Sequence, residues 1–275
     1  MNTIKEVNEI VRRQGQNPAY ITSKNAQHFA PFALFDAGRV PSHNPLVIDW
    51  HPHSGVATIT FPYDAKLHHQ DSAGNVGTIE NQGLQWMASG TGIWHKESYQ
   101  ATNQNRIGII QLWLMLDPQE EIEPAKYFDL HPNDIPFVQD QNKNTTRVLL
   151  GEYHGLKAAK PIHHNASYLD VHLKAGDSWQ FNPNKNQVRG FVYSRVGSLS
   201  IGEARVHEQE LALLNEDNKP LQVTALTDTQ FVVAMTEPWV HPVVSHYGQI
   251  HTSEAALEQA SQQIHFLRNK WKKSS

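Results

Sequence analysis

Apolar residues in this chain recur mostly at a period of two or in short unbroken runs, which predicts strands over most of its length. The first run, Phe32-Ala33-Leu34-Phe35, ends on turn chemistry at Asp36-Ala37-Gly38. A loop from Pro41 to Pro45 leads into Leu46-Val47-Ile48-Asp49-Trp50 and on into His51-Pro52-His53. Ala57-Thr58-Ile59-Thr60-Phe61 is β-branched and aromatic, and Pro62 confines it to a strand end or an edge. Asp71-Ser72-Ala73-Gly74-Asn75 reads as a turn, and Gly90-Thr91-Gly92 as a strand-reversing turn into Ile93-Trp94-His95. Between them, short strands are expected at 77–79 and 84–87, and 107–116 reads as a long buried strand.

Four prolines (Pro118, Pro124, Pro132 and Pro136) punctuate 117–136, which reads as a stiff linker rather than an element and holds the expected domain boundary. Beyond it, short strands at 146–150, 167–173, 178–181, 190–194, 198–201, 206–214 and 230–235 have the spacing of a sandwich or barrel. Two all-β halves suggest a duplicated fold, although no residue-level repeat links them. A helix is expected near the C-terminus. Thr252 or Ser253 caps it, Glu254 sits in its first turn, and Leu257, Ala260, Ile264, Leu267 and Trp271 share one face. Near the N-terminus, Ile4, Val7, Ile10 and Val11 fit either a short amphipathic helix or an edge strand.

At 275 residues the chain can bury a core in one large or two ordinary domains. It has no cysteine, which excludes disulfides, thiolate metal sites and cysteine nucleophiles, so any metal must rest on His, Asp or Glu. The 17 histidines justify a search for ligand clusters. A net charge of −4 offers no nucleic-acid surface, and Lys270, Lys272 and Lys273 read as the solvated end of the helix. No apolar run approaches the roughly 20 residues that span a bilayer. Residues 1–15 lack the apolar core of a secretion signal, so a cytoplasmic, membrane-free protein is expected.

His51-Pro52-His53 and His95-Lys96-Glu97 each place two metal-capable side chains at i, i+2, on one face of a strand. Two such strands with those faces inward converge three imidazoles and a carboxylate. A lone His-x-His is more often a hydrogen-bonded or surface pair; the second pair reverses that preference. His68 and His69 are adjacent and point to opposite faces, one lining the interior and the other exposed, while His163 and His164 read as loop residues. No Lys-Ser/Thr follows Gly90-Thr91-Gly92, which removes phosphate chemistry. Trp86, Trp94 and Trp113 read as core or wall residues, with Trp94 alternating away from His95. Neither a serine elbow nor a framed carboxylate pair is present for hydrolase chemistry.

Along most of the chain, the succession of motifs resembles the pirin family, double-barrelled members of the cupin superfamily. The motifs are His51-Pro52-His53 with Gly55, Asp71-Ser72-Ala73-Gly74-Asn75, Gln85-Trp86-Met87, Gly90-x-Gly92-Ile93-x-His95-x-Glu97, Gln111-Leu112-Trp113, Pro124-Ala125-Lys126-Tyr127 and Tyr247-Gly248. The resemblance implies an all-β fold of two antiparallel cupin-type β-barrels packed face to face, with a C-terminal α-helix. In that division residues 1–125 form the metal-binding barrel, and 126–275 form a barrel without metal plus the helix.

The resemblance further implies His51, His53, His95 and Glu97 as ligands of one divalent metal, usually iron, in a monomer. The residues agree: Ala57 occupies the place where cupins generally carry a first-motif Glu, which leaves Glu97 as the carboxylate. Fe(II) suits an N3O set without sulfur, and Mn, Ni, Cu or Zn also bind such a set. Two functions are implied. One is a quercetin 2,3-dioxygenase acting on a flavonol and dioxygen, with Glu97 as both ligand and catalytic proton acceptor. The other is a non-catalytic, metal- or redox-dependent regulator that binds a protein partner. Where pirins commonly read His-Pro-His-Arg-Gly-Phe-Glu, this chain reads His51-Pro52-His53-Ser54-Gly55-Val56-Ala57, and Pro62-Tyr63-Asp64-Ala65 replaces the usual Leu-Glu-Gly hairpin. These departures spare the four ligands and alter what surrounds them.

Overall fold

The apolar run at 107–116 lies inside a sheet: the strand Arg106–Met115 pairs antiparallel with Phe32–Pro41 on one side and Val56–Tyr63 on the other. The structure is a computed structural model and describes residues 4–13, 19–22, 26–41, 44–103, 106–160, 162 and 165–272; His163, His164 and the side chain of Trp271 lie outside these. Val56–Tyr63, buried at all eight positions, pairs in turn with Leu84–Ala88, which pairs with Lys126–Leu130. Two expectations are corrected here. Asp36-Ala37-Gly38 does not turn, because Gln111, Ile110 and Ile109 give it a continuous ladder. The proline-punctuated linker contains a strand, Lys126–Leu130, since the exposed edge of Leu84–Ala88 accepts it. Pro62 lies one residue from its strand's end, opposite Ile109, where a missing N–H costs little.

A second sheet runs in the order Leu46–His53, Ile93–Ala101, Ala65–Asp71, Val76–Ile79. Burial alternates along its middle strands, with Leu67, His69 and Asp71 inward on one and Ile93, His95, Glu97 and Tyr99 inward on the other. Ala65, Leu67, Ile79 and Tyr99 of this sheet share a core with Ile107 of the first. The two sheets thus face each other across side chains in a jelly-roll-like sandwich, not in the closed barrel expected.

These strands, from residues 21–132, form one compact unit with the chain from 239 onward. The helix Glu254–Lys272 thus falls in the same unit as His51, His53, His95 and Glu97. Its apolar stripe needs a partner and finds one here. Ala260 and Ile264 are buried, Trp94 Nε1 donates to the Ile264 carbonyl at 3.0 Å, and a Cβ on Gly92 would lie 2.8 Å from Ile264 Cγ1. Ser253 caps it, accepting from Ala256 N–H at 3.2 Å.

The second unit comprises residues up to 20 and 133–238. Its larger sheet runs Val7–Val11, Leu211–Leu214, Arg189–Val196, Thr229–Thr236, Ala166–Leu173, Thr145–Leu150, Phe137–Gln139. The N-terminal segment is thus an edge strand, paired with Leu211–Leu214. A four-stranded sheet adds Ser178–Phe181, Leu221–Ala225, Leu199–Ile201 and Ala204–Val206. The single strand expected at 206–214 is two, parted by a turn in which Glu210 N–H donates to the His207 carbonyl and Gln209 has φ +62°. Among the described residues, no helix is long and apolar enough to cross a membrane.

Candidate metal centre

The inward face of the four-stranded sheet of the first unit carries the chemistry. Ile93–Ala101 sits between Leu46–His53 and Ala65–Asp71, so that His51 and Asp71 both lie opposite His95, and Ile48 and His69 both lie opposite Glu97. A register shift between Ile48 and His51 brings the His-Pro-His segment to this height. Pro52 is tolerated because Leu46–His53 is the sheet's end strand. Trp94, one residue from His95, faces the helix instead.

The ring centroids of His51 and His95 are 4.2 Å apart, those of His51 and His53 4.9 Å, and those of His53 and His95 5.0 Å. One nitrogen from each of the three rings lies within 4.8 Å of the others, close enough to hold one metal ion. His69, His95 and Glu97 form a second group of the same tightness. Glu97 therefore joins the cluster through His95, with Glu97 Oε1 3.8 Å from His95 Nδ1. His69 is the residue that the sequence reading undervalued. It is buried while its neighbour His68 is exposed, which strand alternation does predict once Ala65–Asp71 is recognised as a strand.

Hydrogen bonds orient the rings. His51 Nδ1 lies 2.8 Å from the Asp49 carbonyl and His53 Nδ1 3.2 Å from the Gly248 carbonyl. A carbonyl only accepts, so each Nδ1 carries a hydrogen, which leaves Nε2 as the nitrogen that could ligate. Burial, then the neighbouring His51, push His53 down to about 3; burial, then His53 and His51, hold His95 well below the usual histidine range. Both are neutral at pH 7, the form that ligates metals. Burial pushes the Glu97 carboxyl up, offset in part by the Tyr99 hydroxyl, which donates to Oε2 at 2.9 Å. His69 Nε2 lies 3.2 Å from Asp71 Oδ2, and its ring stacks on Tyr127 at 4.7 Å. Burial alone would raise Asp71, but hydrogen bonds from His69 and Asn75 outweigh it and draw the carboxyl down. The 71–75 turn read from the sequence thus also anchors His69.

Both ring nitrogens of His95, Oε1 of Glu97 and Nδ1 of His69 are buried without a hydrogen-bond partner. Leaving so many polar atoms unpartnered in one patch is costly, and a cation bound to one nitrogen of His95 and to Glu97 Oε1 would remove part of that cost. The donor set fits a divalent metal: neutral imidazoles, a carboxylate and no sulfur.

Among solved structures, the chain resembles a quercetin 2,3-dioxygenase from Acinetobacter baumannii, with a TM-score of 0.86 at 24% identity, covering 97% of this chain and 98% of that one. It also resembles the bacterial pirin YhhW of Escherichia coli in complex with nickel(II), with a TM-score of 0.61 at 17% identity, covering 84% and 91%. At these identities the likeness defines the fold, that of a two-domain cupin. The Pirin family profile matches residues 10–114 and that of the Pirin C-terminal cupin domain residues 168–270, so the chain belongs to the pirin family. The protein named "Putative quercetin 2,3-dioxygenase PA2418" of Pseudomonas aeruginosa is 31% identical over 242 residues, 85% of this chain and 84% of that protein. A pirin-like protein of Solanum lycopersicum is 28% identical over 277 residues, 96% and 88%.

Proposed function

We propose that this pirin is a metal-dependent oxidoreductase that opens a flavonol with dioxygen, as a quercetin 2,3-dioxygenase does. His51, His53, His95 and Glu97 would hold one Fe(II) ion. The reading is carried by one observation, the convergence of neutral imidazoles and a carboxylate whose inward atoms have no partner. Bound there, the metal would supply Lewis acidity toward a phenolic oxygen and access to dioxygen chemistry.

The chain's own residues do the remaining work. Asp49 and Gly248 carbonyls fix the orientation of His51 and His53. Burial, then Glu97, keep Tyr99 protonated, so it remains a donor to Glu97 Oε2 and leaves Oε1 free. Glu97 Oε1, buried without a hydrogen-bond partner, would be the atom to take the proton of a flavonol hydroxyl. Trp113 packs its ring against His53 at 4.6 Å and helps keep water from that side.

One observation favours a second reading, a metal- or redox-dependent regulator that binds a protein partner. Leu46, Val47 and Ile48 are exposed on the sheet's end strand, directly before His51, and such an edge can accept a strand from another chain.

Metal content of the wild type, His95→Ala and Glu97→Gln tests the ligand set, and oxygen uptake on adding quercetin after anaerobic Fe(II) loading tests the reaction. Stoichiometric iron and uptake in the wild type, both lost in His95→Ala, are expected. Unchanged iron in both variants would overturn the ligand set. Iron without uptake would overturn the flavonol reading and favour the regulator.

A further inference from the structure

Ser54, Glu121 and His251 lie outside the imidazole cluster and are buried as deeply. Ser54 directly follows His53, Glu121 comes from the turn after Arg106–Met115, and His251 ends the short strand that precedes the helix. Ser54 Oγ is 2.9 Å from His251 Nε2, and His251 Nδ1 donates to Glu121 Oε2 at 3.1 Å. Glu121 also accepts from the Thr252 N–H at 2.8 Å and from the Thr252 hydroxyl. A carboxylate only accepts, so His251 Nδ1 carries a hydrogen in either charge state of the ring.

Hydroxyl, imidazole and carboxylate in this order are the parts of a nucleophilic triad. Here they are not used as one, because Ser54 has no exposed surface and its Oγ is enclosed by His251 and by Gln249, 3.2 Å away. A buried polar chain with each member partnered instead rigidifies what it joins. It joins two segments that meet at His53. Ile250 N–H donates to the Ser54 carbonyl at 3.1 Å, and Gly248, in the same segment, supplies the carbonyl that accepts from His53 Nδ1. The short side chain of Ser54 lets His251 approach to 2.9 Å.

We propose that the buried Ser54–His251–Glu121 chain fixes the tautomer and orientation of His53 by holding the Gly248–His251 segment against the strand that carries it. Its three members are positioning residues. The consequence for metal binding rests on the reading of His53 as a ligand, while the tautomer does not.

The test is a long-range proton–nitrogen NMR correlation of the histidine rings in the metal-free, full-length protein, with His53 assigned from its loss in His53→Gln. The wild type should show His53 protonated at Nδ1 only. Ser54→Ala and His251→Ala should give the averaged nitrogen shifts of two exchanging tautomers, and His251→Gln, whose amide can bond both neighbours, should restore the single form. Metal affinity should fall about 10- to 100-fold in His251→Ala, the range for partners of metal ligands. Melting curves identify any variant that fails to fold, and Ser54→Ala removes only a hydroxyl. An unchanged His53 tautomer in folded Ser54→Ala and His251→Ala overturns the proposal, even if the wild type binds metal through His95. A tautomer that shifts in a protein that binds no metal supports the positioning chain and sinks the metal reading instead.

Discussion

Gly55→Ala is the substitution for which the structure gives the most definite magnitude. Gly55 has φ +70°, and a Cβ placed on it would lie 1.8 Å from the Ile250 carbonyl oxygen and 3.0 Å from His251 Cε1. Real Cβ atoms do not come closer than 3.0 Å, so the Ile250 backbone must retreat by the difference, 3.0 − 1.8 = 1.2 Å. Gly55 cannot retreat instead, because its N–H donates to the Gly90 carbonyl and its carbonyl accepts from Leu116 N–H, both at 2.9 Å. The 3.1 Å bond from Ile250 N–H to Ser54 is then lost.

The left-handed backbone costs an alanine about 1–2 kcal/mol, overpacking about 1–3 kcal/mol and the lost hydrogen bond about 1 kcal/mol. Their lower limits sum to about 3 kcal/mol, which at about 2 °C per kcal/mol lowers the melting temperature by about 6 °C or more. Gly74→Ala is the control, since Gly74 also has positive φ, +96°, but nothing within 4 Å of its Cβ position. Differential scanning calorimetry of the two metal-free variants separates the backbone cost from the collision. Equal melting temperatures would refute the claim that the Ile250 segment is pressed against Gly55.

Three further outcomes follow from named contacts. Ile264→Ala should cost about 2–3 kcal/mol, because it empties the space against Gly92, and should expose the 254–272 helix to proteolysis; an unchanged digestion pattern would count against a docked helix. Tyr99→Phe should weaken metal binding about 10-fold or more by freeing Glu97 Oε2, measured by competition with a chelator, while leaving the secondary structure intact. In the second unit, burial alone would raise the Asp170 carboxyl, but Arg195, 3.1 Å away, followed by His172 and Arg147, holds it at about 2. A depressed carboxyl contributes stability that is present above its unfolded value near 3.8 and lost as pH falls through about 2. The shift corresponds to about 2 kcal/mol, so urea unfolding should show a steeper loss between pH 4 and 2 in the wild type than in Asp170→Asn.

Much of this was legible in residue order because strands write their faces at a period of two. His51, His53, His95 and Glu97 could be placed on two inward faces, and Trp94 on an outward one, from spacing alone. What spacing could not supply was lateral register. That His69 stands opposite Glu97 and Asp71 opposite His95 depends on how Ala65–Asp71 pairs with Ile93–Ala101, which is a long-range choice. The same holds for Lys126–Leu130, whose prolines at either side advertise a linker while its pairing with Leu84–Ala88 makes it a strand. The helix illustrates a different gap. Its stripe announced that something must cover Ala260 and Ile264, but only the missing Cβ of Gly92 and the indole of Trp94, some 170 residues earlier, identify what. Ser54, Glu121 and His251 carry no pattern at all, being one hydroxyl, one turn carboxylate and one strand-end imidazole brought together by folding.

The two units show why period-two patterning needs side-chain chemistry to be read as function. Each has a four-stranded sheet with buried side chains along its inner face. In the second unit that face carries Trp179, Phe181, Leu199, Ile201, Val206, Leu221, Val223 and Ala225, with Trp179 stacked on Tyr153 at 5.6 Å and set edge-on to Phe231. Apolar groups of this kind stabilise by filling volume, and the indole N–H finds its acceptor in Thr146 at 2.9 Å. In the first unit the inward i, i+2 positions include His51 and His53, His69 and Asp71, and His95 and Glu97. Imidazoles and carboxylates buried there would destabilise the same architecture unless each lone pair meets a hydrogen or a cation. Asp49, Gly248, Asp71 and Tyr99 partner some of these atoms, and others on His69, His95 and Glu97 are left buried without a partner. A core that only had to fold would be filled as the second unit's is, so the polar face of the first is an arrangement that the proposed ion would complete.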